Sequence, residues 1–177
     1  MKSVFCCAAL AALLIGCNQA PEPASEPTAA TSPEPPMDMP YSASYSGSWT
    51  SDVSDADLKT VLMSYKTWET GDMAGLAATL GDSIWVDMSS GDVLNGTRNE
   101  VMARWTASRD SMSSVSIEME AYHKMNATGK QEPIVVVWYK QVETYKDGRV
   151  DSARYHDINM LKDGKIVWYS QYKRPLK

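Results

Sequence analysis

Length, composition and charge already narrow the class of this protein. Its 177 residues suit one domain with a tail. The 17 basic and 22 acidic residues give a net charge of −5, which argues against a general nucleic-acid binder. The mean hydropathy is negative, which excludes a protein with many membrane spans. The 44% of hydrophobic residues can still form a core, so the chain is not wholly disordered.

The N-terminus has the pattern of a targeting signal. Met1 and Lys2 form a short, positively charged start before an apolar run over residues 4–15, which is too short to span a bilayer comfortably. The run ends in Leu14-Ile15-Gly16-Cys17, which resembles the lipobox of bacterial lipoproteins. The resemblance implies a signal peptide over residues 1–16, cleavage before Cys17 and acylation of Cys17. Alternatives are a secreted protein whose signal happens to end in Cys, and an uncleaved helical anchor.

Acylation of Cys17 would determine where in the cell the protein is located. Several acyl chains give stable anchoring, so we expect a protein held at the bacterial cell envelope by its lipid. Asn18 follows the cysteine and favours the outer membrane under enteric-type sorting.

Cysteine usage limits the chemistry of the mature chain. The three cysteines are Cys6, Cys7 and Cys17, and only Cys17 would remain after cleavage. The folded part then has no thiol for a disulfide, a zinc–thiolate site or a Cys nucleophile. The two histidines stand apart from clustered carboxylates, so we expect no metal site and no cofactor.

A proline-rich tether is predicted between the signal and the domain. Seven of the nine prolines lie in residues 18–40, among acidic residues and without Lys or Arg. Such a composition favours a solvated, partly polyproline segment. We therefore place a disordered tether at residues 17–44 and one domain at residues 45–177. The alternative for the tether is a Pro-rich ligand of a partner domain.

Three helices are predicted in the first half of the domain. Ser54 is typical of an N-cap, apolar residues follow at helical spacing, and Gly71 ends this helix. A second, short helix runs from Asp72 to Gly81. A strand over residues 83–89 and a turn-rich crossing over residues 92–96 follow. The capping box from Thr97 to Glu100 opens the third helix.

Strands dominate the second half of the domain. Residues 115–123 alternate between apolar and polar, and residues 134–139 form a continuous apolar run typical of a central strand. Two Asp-Gly pairs, Asp147-Gly148 and Asp163-Gly164, predict successive hairpins that continue to residue 172. Helices followed by a curved antiparallel sheet predict an α+β fold.

Four short segments occur in a specific order along the domain: residues 68–72, residues 81–87, residues 95–98, and the stretch from His156 to Ile166. Through this ordered set the chain resembles the SnoaL-like branch of the nuclear transport factor 2-like superfamily, over residues 54–172. The resemblance implies a cone-shaped fold, in which a bent sheet is wrapped around roughly three helices and a pocket lies between them. That fold hosts ketosteroid isomerases, epoxide hydrolases, polyketide cyclases and members without chemistry, so it does not decide the function.

Two candidate catalytic residues follow from this resemblance. Asp87 matches the strand position of the isomerases' general base, with Trp85 as an apolar wall. His156 matches the position of their oxyanion-binding Asp and could donate a hydrogen bond. Arg154 alternates in phase with His156, so we expect both to face inward, with Arg154 holding an anionic group. The alternatives are an Asp87 that caps a turn or pairs with Arg, and a core His156 beside a structural Arg.

Aromatic side chains are the candidate ligand-binding residues. Tyr65 lies on the inner face of the first helix, but the isomerases place their oxyanion-binding Tyr one position earlier, where this chain has Ser64. Trp68, Trp85 and Trp105 could line an aromatic pocket. They could equally replace Phe in the core, because the only Phe lies in the signal segment.

Three interpretations of function remain. The favoured one is a lipid-anchored binding module for a small apolar or amphipathic ligand or a protein partner, without catalysis, because the Tyr register differs and no complete acid–base set emerges. The second is a cofactor-free isomerase, dehydratase or hydrolase that uses Asp87 and His156 in the pocket. The third is a structural role through homodimerisation by the sheet face, which is common in the superfamily.

Overall fold

A computed structural model describes residues 40–176, which form one compact unit beginning at Pro40. The predicted signal peptide, Cys17 and almost all of the predicted tether lie outside the described residues. In chain order the elements are β1 Trp49–Thr50, α1 Asp55–Thr70, α2 Met73–Thr79, β2 Leu80–Asp87, β3 Val93–Thr97, α3 Arg98–Asp110, β4 Met112–Ala127, β5 Pro133–Tyr145, β6 Val150–Lys162 and β7 Lys165–Pro175. No helix in this range is both long and apolar enough to cross a membrane.

Local sequence signals set the helix ends as predicted. The Ser54 hydroxyl accepts a hydrogen bond from the Asp57 backbone N–H over 3.0 Å and caps α1. Gly71 ends α1 at a φ of 75°, a conformation that favours glycine. At α3, Thr97 and Glu100 form the reciprocal capping box. The three predicted helices are therefore confirmed.

The sheet has seven strands in the order β1-β4-β5-β6-β7-β2-β3. The two Asp-Gly hairpins join β5 to β6 and β6 to β7 as predicted. The predicted curved sheet is antiparallel in every pairing but one, and the parallel pairing of β2 with β7 makes it a mixed sheet. The predicted crossing at residues 92–96 is largely strand β3, which pairs with β2 at the sheet edge. The register is irregular in the β2–β7, β4–β5 and β6–β7 pairings, and such local shifts bend a sheet.

The two faces of the sheet have different surroundings. The inner face is buried in alternation along β5 and β6, with residues such as Val135, Val137, Ala153 and Leu161. The helices pack on this face through Val61 of α1, Leu76 of α2 and Val101 of α3 in one hydrophobic core. The outer face carries the residues of opposite phase and is partly exposed.

Polar contacts hold α1 at its place beside the sheet and α3. The guanidinium of Arg109 on α3 donates to the carbonyl oxygens of Trp68 over 3.0 Å and Glu69 over 3.2 Å at the end of α1. The Glu69 carboxylate accepts the backbone N–H of Ile117 in β4 over 2.9 Å. The bonds from Arg109 satisfy carbonyl groups that a helix end leaves unpaired, and they fix α1 and α3, two of the three helices that border the cavity described next.

Candidate functional site

A cavity of about 290 Å³ lies between the inner face of the sheet and the three helices. Its apolar and aromatic wall is formed by Trp68, Leu76, Leu80, Met88, Trp105, Met112 and Ile166. Its polar and tyrosine wall includes Ser64, Tyr65, Tyr139, Gln141, Glu143, Tyr145, Tyr155, Asn159, Tyr169 and Gln171. A mostly apolar concavity with a few convergent polar groups is the usual form of a small-molecule site.

Asp157 organises the tyrosines of this cavity. The residue lies in β6, points to the inner side of the sheet and is 0% exposed. One of its oxygens, Oδ2, accepts the hydroxyl of Tyr65 over 3.0 Å, of Tyr139 over 2.8 Å and of Tyr169 over 2.8 Å. These donors come from α1, β5 and β7. One carboxyl group therefore ties a helix and two strands together directly behind the cavity wall.

The electrostatics of Asp157 are dominated by its burial. Burial raises the pKa of the carboxyl from 3.8 to about 7, against the lowering effect of the three tyrosine hydroxyls. The other oxygen, Oδ1, is buried and has no hydrogen-bond partner among the described residues. Burial also raises the pKa of Tyr65, Tyr139 and Tyr169, and the nearby Asp157 charge adds to this rise. The tyrosines thus stay hydroxyl donors at neutral pH.

Two amide side chains complete the network. Asn159 donates its Nδ2 to the Tyr65 hydroxyl over 3.1 Å and to the Val135 carbonyl over 3.3 Å. Gln171 donates its Nε2 to the Tyr169 hydroxyl over 2.6 Å. An ionised Asp157 draws all three tyrosine protons toward itself. A protonated Asp157 can instead donate to one tyrosine and leave that hydroxyl proton for an acceptor in the cavity. The arrangement can therefore offer a ligand either an acceptor or a donor.

A second polar group lies on β5 at the same cavity. Glu143 accepts the Gln141 amide at Oε1 over 2.6 Å and the Tyr145 hydroxyl at Oε2 over 2.7 Å. Burial and this hydrogen bond to Glu143 raise the pKa of Tyr145 to about 12. The sequence analysis did not single out Glu143, because this residue belongs to none of the motifs found there. Its alternation with Tyr139, Gln141 and Tyr145 was the available signal.

Three of the sequence-predicted residues do line the cavity. Tyr65, Trp68 and Trp105 all contribute to its wall. The Trp105 indole packs edge-on against Tyr169 with ring centroids 6.0 Å apart. Tyr65 and Tyr139 also pack edge-on, at 5.0 Å. Their predicted role in ligand binding stays a prediction, and their position is compatible with it.

Asp87 and Trp85 lie elsewhere, on the outer face of β2. The side chains of that strand that enter the core are Leu80, Ile84 and Val86. Asp87 accepts the indole N–H of Trp85 over 2.7 Å and of Trp168 over 3.0 Å, and Trp85 is 45% exposed. Neither side chain lines the cavity, so the expected apolar wall of Trp85 beside a pocket Asp87 is wrong in position.

His156 and Arg154 also lie on the outer face, in β6. His156 stacks on Trp138 with ring centroids 4.7 Å apart, and Arg154 pairs with Glu120 over 2.8 Å. The expectation that they face inward is wrong because the opposite phase of the strand, which includes Tyr155 and Asp157, is the buried one. The buried carboxyl group is thus one residue beyond the predicted histidine. Asp157 and Asn159, two polar residues alternating within a central strand, were the signal for it.

The catalytic assignment of Asp87 and His156 stays a prediction from the sequence alone. The two side chains belong to different strands and neither contributes to the cavity wall. The expectation that they share the pocket is therefore wrong. In the part of the chain from residue 40 to residue 176, no three or more His, Cys, Asp or Glu side chains come together in a way that could hold a metal ion.

Comparisons with known proteins support the fold. No protein-family model matches the chain, and no curated protein matches it by sequence. Among solved structures, an LEH-like epoxide hydrolase of M. tuberculosis is similar with a TM-score of 0.57 at 12% identity, covering 68% of this chain and 84% of that one. An NTF2-like protein of Exiguobacterium sp. 255-15 is similar with a TM-score of 0.55 at 14% identity, covering 65% and 98%.

A fungal structure extends the likeness. AusH from Aspergillus nidulans is similar with a TM-score of 0.55 at 16% identity, covering 69% of this chain and 86% of that one. Identities this low speak for the fold and leave the activity open. Together with the curved, unclosed mixed sheet and the three helices, they show that this chain has the cone-like α+β fold of NTF2-like proteins.

Proposed function

We propose that this protein binds a small amphipathic molecule in the cavity between the sheet and the helices. The observation that carries the proposal is the division of the cavity wall. Trp68, Trp105 and Leu76 offer apolar surface, while Tyr65, Tyr139 and Tyr169 stand in a fixed hydrogen-bonded array on Asp157. Apolar burial contributes about 25 cal/mol per Å², and the fixed polar groups orient the ligand without a further ordering cost.

The proposal takes binding, rather than chemistry, as the primary role. The side chains predicted to form an acid–base pair lie on the outer face of the sheet. Oδ2 of Asp157 already accepts three hydroxyls behind the cavity wall, and Oδ1 is buried there as well. Such a network holds the tyrosines in place at the cavity wall, while its carboxyl group is shielded from a ligand.

A cofactor-free isomerase or hydrolase is the alternative, and one observation favours it. Asp157 combines deep burial with a pKa of about 7, a property that is common among catalytic acids and bases. If this alternative is right, Asp157→Asn abolishes turnover of a substrate that still binds. Under the binding proposal, the same variant has no turnover to lose.

The test of the binding proposal is a titration with N-phenyl-1-naphthylamine, a neutral probe that fluoresces in apolar sites. Ser108 is exposed yet borders the cavity from α3, so Ser108→Trp should obstruct the cavity with little effect on folding. Ala107→Trp is the matched control, because Ala107 is exposed on the same helix and does not border the cavity. We expect saturable binding to the full chain and to Ala107→Trp, and a loss of at least tenfold in Ser108→Trp. Equal binding by both variants contradicts the proposal.

We propose in addition that the chain is held at the bacterial envelope through an acylated Cys17. The support is the sequence of residues 14–17 and the tether composition that follows it. Cys17→Ala should abolish incorporation of labelled palmitate and release the protein from membranes. Cys7→Ala, in the same apolar segment, should leave both unchanged. Labelling that persists in Cys17→Ala contradicts the anchor.

Homodimerisation through the outer sheet face stays a prediction. The relevant observation is the row formed by Trp138, His156 and Tyr172, in which Tyr172 is 58% exposed. The mass of the detergent-free Cys17→Ala chain, measured by light scattering, tests it. A dimer that Tyr172→Glu converts to a monomer supports the prediction, and a monomeric parent chain contradicts it.

A further inference from the structure

We infer that the ligand of the cavity carries a positively charged nitrogen, which Glu143 binds among the surrounding aromatic rings. This inference rests on the proposed binding function and adds the chemical class of the ligand. It depends on three features of the cavity: a buried carboxylate without a cationic partner, the rings beside it, and the placement of the other charges.

Glu143 is a buried carboxyl group that borders the cavity. It is 8% exposed, and among the described residues its two oxygens accept hydrogen bonds only from the neutral groups of Gln141 and Tyr145. Within residues 40–176 it forms no salt bridge. A buried carboxylate without a counter-charge is costly, and each oxygen retains lone pairs for another donor. A cationic ligand in the cavity would supply the missing positive charge, because the Glu143 side chain forms part of the cavity wall.

Aromatic residues line the same cavity as Glu143. Tyr139, Glu143 and Tyr145 lie on the same, inner face of β5. Tyr155 of β6 stacks on Tyr139 with ring centroids 5.1 Å apart. Ring faces attract ammonium groups, and more so when water is excluded. Ring faces and a carboxylate together are suited to a substituted ammonium group on an apolar body.

The other charged groups near Glu143 do not replace the proposed cation. Arg149 lies with its guanidinium 3.7 Å from the Tyr145 ring centroid and pairs with Asp151, so its charge is already compensated. Lys173 borders the cavity, with its Nζ 5.6 Å from the Tyr155 ring centroid, and is exposed to solvent. Solvent screens an exposed charge far more than a buried one. Asp157 lies behind the tyrosines and adds negative charge when ionised. The interior of the cavity therefore favours a cation.

The test compares two probes of the same shape and different charge. Phenyltrimethylammonium is the cation, and tert-butylbenzene is its neutral counterpart. Binding to the full chain is followed by the NMR signals of the Trp68 and Trp105 indole N–H groups, which lie in the cavity wall. We expect the cation to bind roughly tenfold or more tightly than the neutral probe, as ring and carboxylate contributions of this kind imply.

Two variants assign that preference to Glu143. Glu143→Gln keeps the shape and removes the charge, and should reduce affinity for the cation at least tenfold with little effect on the neutral probe. Glu118→Gln is the matched control, since Glu118 is exposed on β4 and does not border the cavity. Binding of tert-butylbenzene without a preference for the cation, or an unchanged preference in Glu143→Gln, contradicts this inference alone. If neither probe binds, both the inference and the binding function fail.

Discussion

The hydroxyl of Tyr65 donates to Oδ2 of Asp157 over 3.0 Å, although the two residues are 92 positions apart in the chain. This bond joins the first helix to the centre of strand β6. Because Tyr139 and Tyr169 donate to the same oxygen, the carboxyl group is shared by the helix layer and the sheet. The residue that fixes the tyrosines of the cavity is therefore also part of what holds the fold together.

The ionisation of Asp157 should make stability depend on pH. The pKa of its carboxyl is raised from 3.8 to about 7 in the folded state, so the folded chain holds a proton that the unfolded chain releases. Its contribution to the free energy of unfolding is complete below pH 4 and falls as pH rises toward 7, by at most about 1.4 kcal/mol per pH unit. Urea unfolding of the parent chain and Asp157→Asn across this range measures the difference.

The comparison between the two chains is what isolates Asp157. Glu69 and Glu100 accept hydrogen bonds that lower the pKa of their carboxyl groups, so both chains lose stability in acid for that separate reason. We expect the stability of the parent chain relative to Asp157→Asn to decrease steadily from pH 4 to pH 7. Parallel curves for the two chains would show that Asp157 does not titrate in this way.

Removing the Tyr139 hydroxyl should raise the pKa of Asp157 further. The hydrogen bond from Tyr139 lowers that pKa because it stabilises the carboxylate, and Tyr139→Phe deletes this donor alone. The buried ring remains, so the cost in stability should be about 1–2 kcal/mol above pH 7 and smaller near pH 5. A ¹³C NMR titration of the Asp157 carboxyl carbon checks the shift, and a lower or unchanged pKa in the variant would refute it.

Arg109 should be important for the geometry of the cavity although it does not border it. Arg109→Lys keeps the charge but cannot reach the carbonyl oxygens of Trp68 and Glu69 with the same paired donors. We expect a loss of about 1–2 kcal/mol in unfolding free energy and weaker probe binding. Arg104→Lys, at an exposed position of the same helix, is the control and should change neither. Equal behaviour of the two variants would remove Arg109 from this role.

The outer-face residues should be dispensable for ligand binding. Asp87→Asn and His156→Gln alter side chains that contact Trp85, Trp168 and Trp138 rather than the cavity. We therefore expect the affinity for N-phenyl-1-naphthylamine to stay within about twofold in both variants, in the range of a surface change. A tenfold loss in either one would return that residue to the site.

Local signals in the sequence predicted much of the fold. Ser54, Gly71 and the box from Thr97 to Glu100 mark helix ends through contacts within a few residues, and the Asp-Gly pairs mark hairpins in the same way. The parallel pairing of β2 with β7 depends on how distant segments pack, which no local signal specifies. Strand β3 was missed because it has only five residues in a turn-rich setting.

The candidate site was harder to predict because its position depends on strand phase. The sequence shows the period of two along β6 but not which of the two faces of the strand is buried. The prediction put Arg154 and His156 on the inner face, whereas they lie on the outer face. Ile158 and Met160, in phase with His156, are apolar and suggested the core, whereas the core face carries Asp157 and Asn159. Those two polar residues can be buried only because Tyr65 and Tyr139 arrive from distant elements, and a single sequence does not show that convergence.

The most direct test of the central claim is a crystal structure of the full chain grown with N-phenyl-1-naphthylamine. The account predicts electron density for the probe inside the cavity, in contact with Trp105 and with the tyrosine hydroxyls held by Asp157. Probe bound only on the outer face near Trp138 and Tyr172, with the cavity free of it, would contradict the account.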